Sequence, residues 1–92
     1  MASSAKEIYF TDTLIGYTVG GSGIIGKTVD GGNSLIIQSG NVIGNLNAIF
    51  FINNENGFAV GDGGAITRTT NGGLNWIPQN RITTNNLHRF IL

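Results

Sequence analysis

The chain has 92 residues, with five basic and five acidic side chains, 15 glycines and no cysteine. Charged residues make up 11%, less than half of the roughly 25% in ordinary soluble domains, so we expect no basic surface that binds nucleic acid or acidic lipid. Hydrophobic residues make up 40%, too many for a disordered chain. The absence of cysteine excludes a disulfide framework and a cysteine-based zinc site.

Length and hydrophobic patterning limit the fold to one small domain without a membrane span. The longest apolar run covers five residues, 48–52, whereas a membrane-spanning helix needs about 20. The first residues carry no apolar stretch after a positive start, so no secretory signal is expected in this chain. Small domains bury a low fraction of their surface, which predicts a thin stability margin.

The sequence contains an internal repeat. Residues 8–38 align with residues 49–79 at an offset of 41 positions without a gap, and 12 of the 31 pairs are identical. The identical pairs are Ile8/Ile49, Phe10/Phe51, Gly16/Gly57, Val19/Val60, Gly20/Gly61, Gly23/Gly64, Ile25/Ile66, Thr28/Thr69, Gly31/Gly72, Gly32/Gly73, Ile36/Ile77 and Gln38/Gln79. A third copy begins near the end of the chain, where residues 86–87 repeat residues 45–46.

Each unit is predicted to form four short strands separated by glycine-rich turns. The first unit has its hairpin turn at residues 21–23 and a second turn at residues 30–32. The strands predicted for the second unit are Leu46–Ile52, Phe58–Gly61, Ala65–Thr69 and one around Trp76, with a tight hairpin turn at residues 62–64. Ile, Val, Thr and aromatic residues dominate between the turns, and no segment has a helical period.

A four-stranded antiparallel unit that recurs at about 40 to 45 residues is typical of a β-propeller blade. We therefore predict an all-β fold with two blades, residues 5–45 and 46–86, followed by residues 87–92 as the first strand of a further blade or as a closing strand. Both faces of such sheets are expected to be covered by neighbouring blades, which explains the scarcity of charge.

Two turns carry a more specific pattern. Residues 28–35 and 69–76, here called the first and second Gly-Gly turns, resemble the Asp-box, Ser/Thr-x-Asp-x-Gly-x-Thr/Ser-Trp. The residues predicted to shape these turns are Thr28, Asp30, Gly31, Gly32 and Ser34 in the first and Thr69, Asn71, Gly72, Gly73 and Trp76 in the second. The first turn has Leu35 in place of tryptophan, and the second has Asn71 and Asn75 in place of Asp and the hydroxyl residue. One turn is therefore expected to hold less firmly than the other.

The wider pattern, Ile-x-Phe, Gly-Tyr/Phe-x-Val-Gly, Ile-x-Lys/Arg-Thr and Thr-x-Asp/Asn-Gly-Gly, resembles the photosystem II assembly and stability factor-like repeat over residues 8–79. The resemblance implies a propeller of about seven blades that serves as a binding or assembly platform without catalysis or cofactors. It also implies an exported parent protein. No ligand-binding residue follows from it.

Enzymatic alternatives are weaker. The Asp-box is named from sialidases, but a glycosidase needs paired carboxylates or a tyrosine nucleophile with its base, and none of the five acids has an evident partner. Arg68, Arg81 and Arg89 are expected to be solvated rather than to form a carboxylate-binding cluster, and His88 alone makes no metal site.

A lectin in which aromatic rings stack on sugars is an open alternative. Rings at positions fixed by the repeat, such as Tyr9, Tyr17 and Trp76, nevertheless favour core packing.

Two blades cannot close a propeller ring, since about four are the minimum. The chain is therefore expected to bind itself, with three or four copies closing a ring or an open filament forming, unless it is part of a longer array. In a ring of identical chains, residues 87–92 would compete with residues 7–10 for the innermost strand position. The sequence thus favours a self-assembling scaffold with a protein or glycan ligand over an enzyme.

Overall fold

A computed structural model describes residues 7–80 and 83–87. The strands are β1 (Glu7–Phe10), β2 (Gly16–Val19), β3 (Ile24–Thr28), β4 (Ile36–Ser39), β5 (Leu46–Phe51), β6 (Gly57–Gly61), β7 (Ile66–Thr69) and β8 (Ile77–Pro78). They form two four-stranded antiparallel sheets in the orders β1-β2-β3-β4 and β5-β6-β7-β8. The predicted all-β class is confirmed. Within these residues, no helix has the length and apolar character that crossing a membrane requires.

The last strand of the second sheet begins one residue later than the prediction around Trp76. Trp76 is 2% exposed and lies just before β8, whose two residues pair with Thr67 and Arg68. Pro78 has no backbone N–H to donate, which suits an edge strand. The ladder continues beyond Pro78, where Gln79 N donates to Ile66 O at 2.7 Å.

The two sheets pack face to face through one side of each. Strand alternation and the pairing register place Tyr17, Val19 and Ile25 on one face of the first sheet. They meet the face of the second sheet that carries Ile49 and Phe51. The buried core consists of Tyr17, Val19, Ile25, Leu46, Ile49, Phe51, Ala59 and Trp76.

The opposite faces are not covered by the other sheet. The outer face of the first sheet carries Ile8, Phe10, Ile24 and Ile37, and their exposed fractions range from 37% to 66%. The outer face of the second sheet carries Phe58, Val60, Ile66 and Arg68. On it Val60 is buried, Phe58 and Ile66 are half-buried and Arg68 is exposed. Among the described residues, each sheet therefore covers only one face of the other; the sequence predicted that the remaining faces are covered by further blades.

The segments that follow the two sheets make equivalent backbone hydrogen bonds. After the first sheet, Leu46 N donates to Gly20 O at 3.0 Å, and after the second sheet Leu87 N donates to Gly61 O at 2.9 Å. The predicted third copy thus has the backbone bonding of the second copy as far as Leu87. The remaining residues of that prediction, 88–92, and the predicted start of the first unit at residues 5–6 lie outside the described residues.

A glycine at the second hairpin turn is required where the segment after the second sheet passes it. Gly64 has φ +77, and a Cβ on it would collide with the carbonyl oxygen of Thr83. Neighbouring Gly63 has φ +69, but its Cβ would meet no atom within 4 Å. We expect Gly63→Ala to cost only the left-handed conformation, about 1–2 kcal/mol, and Gly64→Ala to cost clearly more. Urea unfolding of both variants measures the difference, and equal costs would contradict the close approach of residue 83.

Candidate functional site

The first Gly-Gly turn is held by the carboxylate of Asp30. Its Oδ1 accepts hydrogen bonds from Thr28 Oγ1 at 2.8 Å and Ser34 N at 3.0 Å, and its Oδ2 accepts one from Ser34 Oγ at 2.7 Å. Thr28 Oγ1 in turn accepts a bond from Gly32 N at 2.9 Å. Chiefly because Ser34 donates twice to the charged form, the pKa of Asp30 falls from 3.8 to about 2. The acceptor capacity of this carboxylate is used within its own turn.

The second Gly-Gly turn keeps the same backbone bonds with different side chains. Asn71 Oδ1 accepts from Thr69 Oγ1 and from Asn75 N, both at 3.0 Å, and Gly73 N donates to Thr69 Oγ1 at 2.9 Å. The bond between side chains runs in the opposite direction. In the first turn Ser34 donates to Asp30, whereas in the second Asn71 Nδ2 donates to Asn75 Oδ1 at 2.9 Å. The two departures from the Asp-box pattern therefore compensate each other. In hydrogen bonding, neither turn is deficient.

The titration of Asp30 makes stability depend on acid pH. Since its pKa in the folded state is about 2, below the ordinary 3.8, its contribution is complete above pH 3.8 and is lost as the pH falls towards 2. We expect Asp30→Asn, which copies the amide of Asn71, to lose less stability over this range than the unmodified chain. Urea midpoints from circular dichroism at both ends of the range test this. Identical losses in the two proteins would contradict it.

Tyr17 links the first sheet to the second Gly-Gly turn. Its ring stacks on Phe51 with centroids 4.2 Å apart and planes 21° apart, and its hydroxyl donates to Gly72 O at 2.8 Å. Lys27 Nζ lies 5.5 Å from the centroid of the Tyr17 ring and donates to the same carbonyl at 2.7 Å. Burial, and then the charge of Asp12, raise the pKa of Tyr17, which keeps the hydroxyl in its donating form.

Trp76 makes the reciprocal contact from the second sheet to the first. Its Nε1 donates to Gln38 Oε1 at 3.3 Å, and its carbonyl accepts a bond from Asn41 Nδ2 at 2.5 Å. Its ring meets Phe51 edge-on, with centroids 6.0 Å apart. The sequence predicted a buried Trp76 but assigned no role to Lys27, Gln38 or Asn41. The identity of Gln38 and Gln79 across the repeat was the signal that one of these positions matters.

An apolar cavity lies on the outer face of the first sheet. It has a volume of about 210 Å³. Its lining residues are Ile8, Phe10, Gly16, Tyr17, Thr18, Thr28, Gly32 and Leu35. We call it the outer cavity. No charged side chain is among these residues, so the outer cavity suits an apolar group.

Asp12 and Asp62 also accept hydrogen bonds from nearby groups. Asp12 Oδ1 accepts bonds from Leu14 N and Ile15 N, both at 2.8 Å, which lower its pKa. Asp62 accepts from Asn47 Nδ2 at 2.9 Å. No group of three metal-ligating side chains occurs among residues 7–80 and 83–87. Arg68 lies 5.4 Å from the centroid of the Phe58 ring, while Arg81, His88 and Arg89 lie outside the described residues.

The likeness between the two Gly-Gly turns is internal to this chain. No protein-family model, curated protein or solved structure matches the chain significantly. The two sheets nevertheless share strand order, hairpin geometry and turn bonding, as the aligned residues 8–38 and 49–79 require. The repeat thus supplies a comparison within the molecule, in which residues 41 positions apart occupy equivalent places in the two sheets.

Proposed function

We propose that the chain is a non-catalytic binding and scaffold module made of two β-propeller blades that associate with further copies through their blade faces. The proposal follows the photosystem II assembly and stability factor-like repeat that the sequence resembles. The observation that carries it is the packing of the two sheets. Each sheet uses a different face in that packing, and each leaves the other face uncovered by its neighbour.

The sheet interface is heterologous. The first sheet contributes Tyr17, Val19 and Ile25, whose counterparts at the 41-residue offset are Phe58, Val60 and Ile66 on the outer face of the second sheet. The second sheet contributes the face of Ile49 and Phe51, whose counterparts are the outward-facing Ile8 and Phe10 of the first sheet. The two outer faces of one chain are therefore equivalent to the two faces already joined within it.

Copies that repeat this contact join head to tail, and such contacts form a ring if the rotation closes and a filament if it does not. Three copies give six blades and four give eight, both within the size range of propellers. Covering the outer faces also removes exposed apolar surface, which marks interaction sites on soluble proteins. A protein or glycan ligand would then bind the assembled ring.

The hydrogen bonds of the turn carboxylates favour a scaffold role over a catalytic one. Asp30 and Asp12 bond groups of their own turns, and Asp62 bonds the neighbouring Asn47. A glycosidase needs two carboxyl groups about 5–9.5 Å apart that flank one bond of the substrate. These acidic side chains accept hydrogen bonds from neighbouring backbone and side-chain groups, which is a structural role.

Electron microscopy of the purified protein tests the assembly directly. We expect ring-shaped particles with six or eight blades, or filaments of stacked blades where the ring does not close. A field of particles with only the dimensions of one chain, 35 × 31 × 21 Å, at concentrations where the protein is soluble would contradict the proposal.

A further inference from the structure

We infer that the side chain of Phe58 of one copy occupies the outer cavity of the next copy, in the same way as Tyr17 packs against the second sheet within one chain. The inference rests on the proposed self-association and assigns the residues that form its contact. The partner is therefore a second copy of this chain. The contact is directional, from the second sheet of one copy to the first sheet of the next.

The outer cavity is equivalent to the site on the second sheet where the Tyr17 ring packs. In the chain, the Tyr17 ring stacks on Phe51 and lies 3.0 Å from the position that a Cβ on Gly73 would take. At the 41-residue offset, Phe51 corresponds to Phe10 and Gly73 to Gly32, both of which line the outer cavity. The lining residues that are identical in the two places are Ile8/Ile49, Phe10/Phe51, Gly16/Gly57, Thr28/Thr69 and Gly32/Gly73.

Phe58 is equivalent to Tyr17 in position and in its cationic neighbour. Arg68 lies 5.4 Å from the centroid of the Phe58 ring, as Lys27 lies 5.5 Å from that of Tyr17. Lys27 donates to the carbonyl of Gly72, and the counterpart of Gly72 is Gly31, which is exposed in the first Gly-Gly turn. We therefore expect Arg68 of one copy to donate to Gly31 O of the next.

The contact between copies lacks four hydrogen bonds that the contact within the chain has. Two are lost because Phe50 stands in place of Tyr9, which donates to Phe51 O, and Ile82 in place of Asn41, which donates to Trp76 O. The other two are lost because Phe58 has no hydroxyl to match that of Tyr17, and Leu35 has no indole N–H to match that of Trp76. A typical hydrogen bond contributes about 0.5–1.5 kcal/mol net, so the two contacts differ in strength. Copies are therefore expected to separate under conditions in which the two sheets of one chain stay together.

Restoring the hydroxyl tests the position of Phe58. In Phe58→Tyr, the new hydroxyl would face Gly31 O of the next copy, and we expect the dissociation constant to fall by about two- to tenfold. The converse change, Tyr17→Phe, removes the bond to Gly72 within the chain and should lower the urea midpoint without tightening the assembly. Unchanged or weaker association of Phe58→Tyr in analytical ultracentrifugation would overturn the assignment.

Cross-linking tests the direction of the contact. Trp76 and Gln38 touch within the chain, so Leu35 of one copy and Gln79 of the next should be neighbours. In this cysteine-free chain, Leu35→Cys/Gln79→Cys should give a ladder of oligomers with a short bismaleimide. Either single variant alone should give none, and an equal mixture of the two should give dimers. Assembly by mass without this pattern would overturn the inference alone, whereas a monomeric protein would overturn the proposed function as well.

Discussion

Trp76→Ala is expected to unfold the chain under conditions in which the unmodified protein is folded. Trp76 is 2% exposed, meets the ring of Phe51 and donates to Gln38 on the other sheet. Removing a buried aromatic side chain costs about 3–5 kcal/mol, which is comparable with the whole stability of a domain this small. Circular dichroism during heating, at a fixed protein concentration, measures the loss without relying on the only tryptophan.

A matched variant separates the loss of volume from the loss of the hydrogen bond. Trp76→Leu copies Leu35, the residue that the first Gly-Gly turn carries at the equivalent position. We expect it to be destabilised less than Trp76→Ala, because leucine fills part of the space beside Phe51. If Trp76→Ala unfolds at the same temperature as the unmodified chain, then Trp76 does not fasten the second sheet to the first.

Ile8→Lys is expected to abolish assembly while leaving the fold of the chain intact. Ile8 is 66% exposed in the single chain, but its counterpart Ile49 is 2% exposed where the two sheets meet. A lysine at this position would place an unpaired charge in the contact between copies, which is costly. Within the chain it would stay in water, so the circular dichroism spectrum and the urea midpoint should change little.

Leu74→Lys is the control for this change. Leu74 is 76% exposed in the second Gly-Gly turn, whose Gly72 and Gly73 already contact the first sheet within the chain. Introducing a lysine at this exposed apolar residue should therefore leave the assembly unaffected. Sedimentation velocity of the two variants at equal concentration compares them. Equal assembly of both would contradict the use of the outer face of the first sheet.

The fold was predictable where the two units repeat each other. Gly20/Gly61 and Gly23/Gly64 mark hairpins that the structure places at equivalent points, and the alternation of apolar residues between them gives the strands. The residues at which the strands begin and end were less predictable. β8 begins only after Trp76, as β4 begins only after the equivalent Leu35, and no local signal marks the residue at which pairing begins.

The contacts between sheets were not predictable from the residues alone. Lys27 and Gln38 act on groups 45 and 38 positions away along the chain, and such distances carry no local pattern. The bonding of the second Gly-Gly turn was also missed. Asn71 and Asn75 each depart from the Asp-box pattern, and only the reversed bond between their side chains shows that the departures compensate.

The mass of the protein in solution tests the central claim most directly. Each chain has a mass of 9.7 kDa, and static light scattering over a range of concentrations gives the number of chains in the particle. Head-to-tail association through the outer faces predicts three or four times the mass of one chain at the plateau, or a mass that keeps growing if filaments form. A constant 9.7 kDa at every concentration would contradict it.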